Sequence, residues 1–123
     1  RMSLLTREEL LSPATRRYED FQTYDGRQFR VRSLTERERS EFEAAILDGN
    51  GRPKRDRLVA ARRRLICMTL VGPDNELLFS QYDETAMKAL AEQDGRLMDD
   101  IYEAAATHCG IKNSDVEAIA KNS

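Results

Sequence analysis

The chain has one histidine, two cysteines and no surplus of either charge, and each scarcity removes a class of function. A zinc site needs three or four ligands at recognisable spacing, and His108 with Cys109 would have to recruit Cys67 and a carboxylate from elsewhere in the chain. Cys67 and Cys109 lie far apart within helical patterns, which is the placement of two reduced thiols in a cytosolic protein. Twenty basic residues are set against 22 acidic ones, and a net charge of −2 gives solubility without an electrostatic footprint for nucleic acid. No run approaches the roughly 18 consecutive apolar residues of a membrane span, and no basic stretch leads into a hydrophobic signal segment. The expected location is the cytoplasm, with no membrane contact.

What the chain does have is enough apolar material, 40% of 123 residues, to bury one modest core in one domain of two packed layers. Thr6-Arg7-Glu8-Glu9 has the spacing of a capping box and opens a short helix bearing Leu10 and Leu11, which Ser12-Pro13 closes. So short a helix cannot stand alone, and residues 1–16 read as an arm that docks or frays. Asp25-Gly26 marks a hairpin over residues 17–33. A three-residue loop with Gly26 left-handed sets Phe21 opposite Phe29, whereas a two-residue turn would mix the faces. The hairpin is too narrow to be stable alone, so Phe21, Phe29 and Val31 must lean on helices or on another chain.

Thr35-Glu36-Arg37-Glu38 is a second capping box, leading into a helix with Phe42, Ala45 and Ile46 on one stripe. The segment Asp48-Gly49-Asn50-Gly51-Arg52-Pro53 has the composition of a mobile loop. A central helix is expected over 54–71, basic at first and then apolar on every side, so that it needs neighbours all round. Gly72-Pro73-Asp74-Asn75 is a turn, and 76–79 a short extended piece. A helix capped by Ser80 or Asp83 follows, then one over 96–109 stopped by Gly110, then a third box at Ser114-Asp115-Val116-Glu117. The fold class is α+β, predominantly helical, with an N-terminal β-hairpin packed with a bundle of four to five helices. Residues 17–123 form the single globular domain.

Chemistry is hard to assemble from these residues. Glu36, Glu38, Glu41 and Glu43 occupy one solvated helix face and Asp99, Asp100 and Glu103 another, without the cleft that paired acid and base catalysis requires. No stretch has the twelve-residue calcium-loop pattern, and Gly49-Asn50-Gly51 lacks what a phosphate loop needs after it. His108 near a helix end suits the dipole, and as a helical neighbour of Cys109 it diverges from it by about 100 degrees. No catalytic residue, metal or cofactor is expected. Arg52, Lys54, Arg55, Arg57 and Arg62 to Arg64 concentrate positive charge, yet the last three point to different sides and no recognition motif accompanies them. Solvated charge or an acidic protein partner accounts for them better than nucleic acid does.

The chain resembles the tail assembly chaperones of long-tailed bacteriophages and related prophages. The likeness lies in Met2-Ser3-Leu4-Leu5-Thr6, in Phe29-Arg30-Val31-Arg32, and in Leu34-Thr35-Glu36-Arg37-Glu38 running to Phe42-Glu43. It continues in Ala61-Arg62-Arg63-Arg64-Leu65, in Leu77-Leu78-Phe79-Ser80 and in the helices after Gly95, so nearly the whole chain takes part. The resemblance implies a helper of the infected cell, absent from the mature virion, that coats the hydrophobic tape measure protein and keeps it soluble. It also implies recruitment of tail tube subunits. In several relatives a ribosomal frameshift adds a C-terminal extension for that task, and a chain ending at Asn122-Ser123 would correspond to the short form.

Binding such a client requires apolar surface rimmed by charge. The candidates are Leu4, Leu5, Leu10 and Leu11 on the arm, Phe21, Phe29 and Val31 on the hairpin, and Arg52, Arg55 and Arg57 on the basic loop. Either apolar group could instead close the domain's own core. A free strand edge would also serve self-association. A head-tail connector or tail completion protein, or a small nucleic-acid-binding regulator, are the competing functions.

Overall fold

Four helices begin where a side-chain oxygen is placed to accept an orphan amide. The computed structural model describes residues 3–111, and the box expected at Ser114 lies outside them. Thr6 Oγ1 accepts from the Glu9 amide at 3.2 Å and Glu9 Oε1 from the Thr6 amide at 3.1 Å, opening α1 (Arg7–Leu11). Thr35 and Glu38 repeat the exchange at 3.2 and 2.9 Å for α2 (Glu36–Ala44). In both, two amides that a helix start leaves unpaired find partners.

The hairpin takes the expected register: β1 (Tyr18–Gln22) pairs antiparallel with β2 (Gln28–Arg32), and Phe21 faces Phe29. The Thr23 amide donates to Arg27 O at 2.8 Å and the Gly26 amide to Thr23 O at 3.0 Å, with Gly26 at φ +86°. That left-handed position is nearly free of strain only for glycine. The same closure recurs at Asp48 to Arg52, with Gly51 at φ +75°, and at Gly72 to Glu76, with Asn75 at φ +64°. The segment expected to be mobile is therefore a closed turn, flanked by an antiparallel bridge between Leu47 and Pro53.

The helix expected over 54–71 is three elements. α3 (Arg55–Val59) and α4 (Ala61–Thr69) are separated at Ala60, where the backbone turns to φ −84°, ψ −6°. Thereafter Leu70 goes extended and β3 (Leu70–Val71) pairs antiparallel with β2, Val31 opposite Leu70. The free edge of β2 offers hydrogen bonds that a last helical turn ahead of Gly72-Pro73 would lack, and β-branched Val71 suits the strand. The sheet order is β1-β2-β3, and Leu77 bridges Val71, so the extended piece expected at 76–79 lies along the sheet.

Asp83, one of the two caps expected, accepts from the Ala86 amide to start α5 (Glu84–Ala91). Asp94 does the same for α6 (Gly95–Cys109), which ends at a left-handed Gly110. The architecture is thus α+β. Its hairpin belongs to a three-stranded sheet, and two of the six helices described have only five residues, so the helices do not amount to a plain four- or five-helix bundle. Val31, Phe42, Ile46, Leu65, Ile66, Ile101 and Ala105 fill the core between sheet, α2, α4 and α6. Each large side chain buried there contributes roughly 1.5 to 3 kcal/mol.

One carboxylate ties three elements together. Glu38, already the α2 box partner, accepts from Arg16 Nη1 and Nη2 at 2.6 and 2.8 Å and from Arg32 Nη2 at 3.2 Å. Arg16 also reaches Ser33 O, and Arg32 Nε donates to Met68 O at 3.0 Å. The hydrogen bond from Arg16 holds the Glu38 carboxyl at about 2 despite partial burial. Burial and the nearby Arg16 charge lower the Arg32 guanidinium, whereas Arg16 is raised by its bond to Glu38. The stabilising pair is therefore Arg16 with Glu38, and the chain is anchored to the domain from Arg16 onward.

Candidate protein-binding surface

Ahead of that anchor, the arm leaves its apolar side chains in solvent. Leu4, Leu5, Leu10 and Leu11 are 92%, 72%, 71% and 66% exposed, and α1 buries no residue. Four large side chains clustered within eight positions are more than the scattered apolar exposure of an ordinary surface. The capping box holds Leu10 and Leu11 on a formed turn of helix although nothing packs beneath it.

The three hairpin candidates separate. Val31 is fully buried and belongs to the core, so its side chain offers nothing to a partner. Phe21 and Phe29 stack at 5.8 Å between ring centroids and lean, half-buried, on that core. Phe29 also reaches an apolar groove of about 390 Å³, where β3 and the following turn diverge from β2, bounded by Leu70, Val71, Pro73, Leu78 and Ile101. Leu78 is 50% exposed beside it. The Leu77-Leu78-Phe79 run after a firm turn was the sequence signal for this groove, and the missing link was β3, which brings it to the hairpin.

The basic loop is ordered by its own backbone. The Asp48 carboxylate accepts from the Asn50 and Arg52 amides at 2.8 and 3.0 Å, and these bonds lower its pKa. Arg52 and Arg55 stay exposed, and Arg57 donates to Leu47 O. Of the next three arginines, Arg62 pairs with Asp99 and lies over the Tyr102 ring, Arg64 donates to Gln81 O at 3.4 Å, and Arg63 turns elsewhere. They form no single row.

The nucleophile candidates are tied into packing. Burial raises both the Cys67 and Cys109 thiols, which keeps them protonated, and neither is in a disulfide. His108 Nδ1 lies 3.0 Å from Glu19 Oε1 and Nε2 lies 3.2 Å from Arg17 O, while the Arg17 guanidinium donates back to His108 O. These bonds fasten the end of α6 to the start of β1. Among the described residues no three of His, Cys, Asp and Glu gather as metal ligands, and no helix is long and apolar enough to cross a membrane. No protein-family model, curated protein or solved structure matches this chain.

Proposed function

We propose that this chain is a tail assembly chaperone: a cytoplasmic helper of the bacterial host cell that binds a tape measure protein through its leucine-bearing arm and keeps that client soluble. The observation that carries the reading is the arm itself, four exposed leucines held by a capped helical turn outside a core that is complete without them. An elongated helical client presents long apolar stripes, and an arm with Leu10 and Leu11 on one turn is the complementary shape for a helix-in-groove contact. The groove at Phe29 and Leu78 gives a second apolar contact on the domain. Bringing tail tube subunits to the coated client, and lining many copies along it through the β1 edge, belong to the same proposal, as does absence from the mature virion.

Co-expression with the tape measure protein encoded beside it tests the reading. The client should remain in the soluble fraction and co-purify with this chain. A client that stays insoluble, or that is recovered alone, rejects the proposal.

A further inference from the structure

Between α3, α4 and α5 lies a cleft of about 490 Å³ that shares no residue with the arm or the Phe29 groove. Four cationic side chains line it, Arg57, Arg63, Arg64 and Lys88, against two acids, Asp56 and Glu84. Among the described residues neither acid lies within ion-pair distance of Arg63, Arg64 or Lys88. Arg63 stands out because its Nε is sealed from solvent and has no acceptor. A buried guanidinium nitrogen without a partner is rare in folded proteins and calls for one. Arg57 and Arg64 spend one donor each on Leu47 O and Gln81 O, which leaves most of their donors for a ligand.

We propose that this cleft binds a carboxylate side chain of an acidic, amphipathic peptide segment from a partner protein, with Arg63 as its fork. Charge selects a carboxylate over a phosphate: Asp56 and Glu84 repel a dianion more than a monoanion, while four cations still leave a net positive site. Shape selects a peptide over a free acid, because Met87 and Ala91 on α5 give the cleft an apolar wall that would pack the neighbours of the bound residue. A guanidinium with no internal acceptor can present Nε and a terminal nitrogen together, the bidentate geometry that a carboxylate accepts. The inference does not depend on tape measure binding, since any partner with this chemistry would fit.

The test is an NMR titration of the full chain, following the arginine Nε–Hε signals, with a synthetic helical peptide carrying Glu at i and i+4 between leucines. Saturable binding is expected, with the Arg63 signal moving most, and binding at least roughly tenfold weaker for the same peptide with Gln in place of Glu. Arg63→Gln should weaken binding by a similar factor, Arg63→Lys should not restore it, and Arg37→Gln on exposed α2 surface should leave it unchanged. Equal binding of the two peptides, or an unaffected Arg63→Gln, overturns the proposal. Displacement of the peptide by inorganic phosphate at equal concentration would overturn it too, by making the cleft a phosphate site.

Discussion

Glu38 is the residue whose removal reaches furthest. Its carboxyl sits at about 2 in the fold against 4.5 in the free side chain. That gap is worth at most about 3 kcal/mol, and about 2 once its partial contact with water is allowed for. Because the folded value is the lower one, the stabilisation is complete above about pH 4.5 and drains away as pH falls toward 2. Urea unfolding of the wild type and Glu38→Gln should therefore differ by about 2 kcal/mol at pH 6 and converge near pH 2.5; a gap independent of pH would show that the carboxylate charge is immaterial. Two leucines give the complementary contrast. Leu65→Ala, at a fully buried site, should cost about 2 to 5 kcal/mol, whereas Leu10→Ser on the arm should stay within about 0.5 kcal/mol. A large loss at Leu10 would place the arm inside the cooperative fold.

At the scale of elements, the local rules were legible and the long-range ones were not. Both described capping boxes, the hairpin register and the helix stop at Gly110 follow from residues within a few positions of one another, where spacing alone decides geometry. The break at Ala60 left no mark, because alanine is the best helix former and only packing of α4 into the core dictates a new start. Leu65 to Val71 is apolar throughout, and such a run does not distinguish a buried helix end from a buried strand, so β3 became visible only beside β2. For the same reason the Arg16 and Arg32 contacts to Glu38, and the cleft at Arg63, could not be assembled from the chain order. The repeated turn closure makes a further prediction: Gly26→Ala, forced to φ +86°, should destabilise the domain by about 1 kcal/mol in thermal unfolding. An unchanged midpoint would mean the loop relaxes to another turn.

For the whole molecule, the arm and the domain divide the work. The domain closes its core with Val31, Phe42, Leu65 and Ile101 and is held to the preceding chain at Arg16, so the leucines ahead of that anchor are free for a partner. This also explains why only part of the candidate surface was readable: exposed arm leucines and core hairpin residues have the same composition, and burial separates them. The capping box of α1 adds order to a segment without tertiary support, which lowers the entropy lost when it docks. The most direct test compares how much tape measure protein stays soluble when co-expressed with the wild-type chain and with a Leu4→Ser, Leu5→Ser, Leu10→Ser, Leu11→Ser variant. The account predicts that the variant keeps the wild-type unfolding midpoint and loses the client; a variant that solubilises the client as well as the wild type does would contradict it.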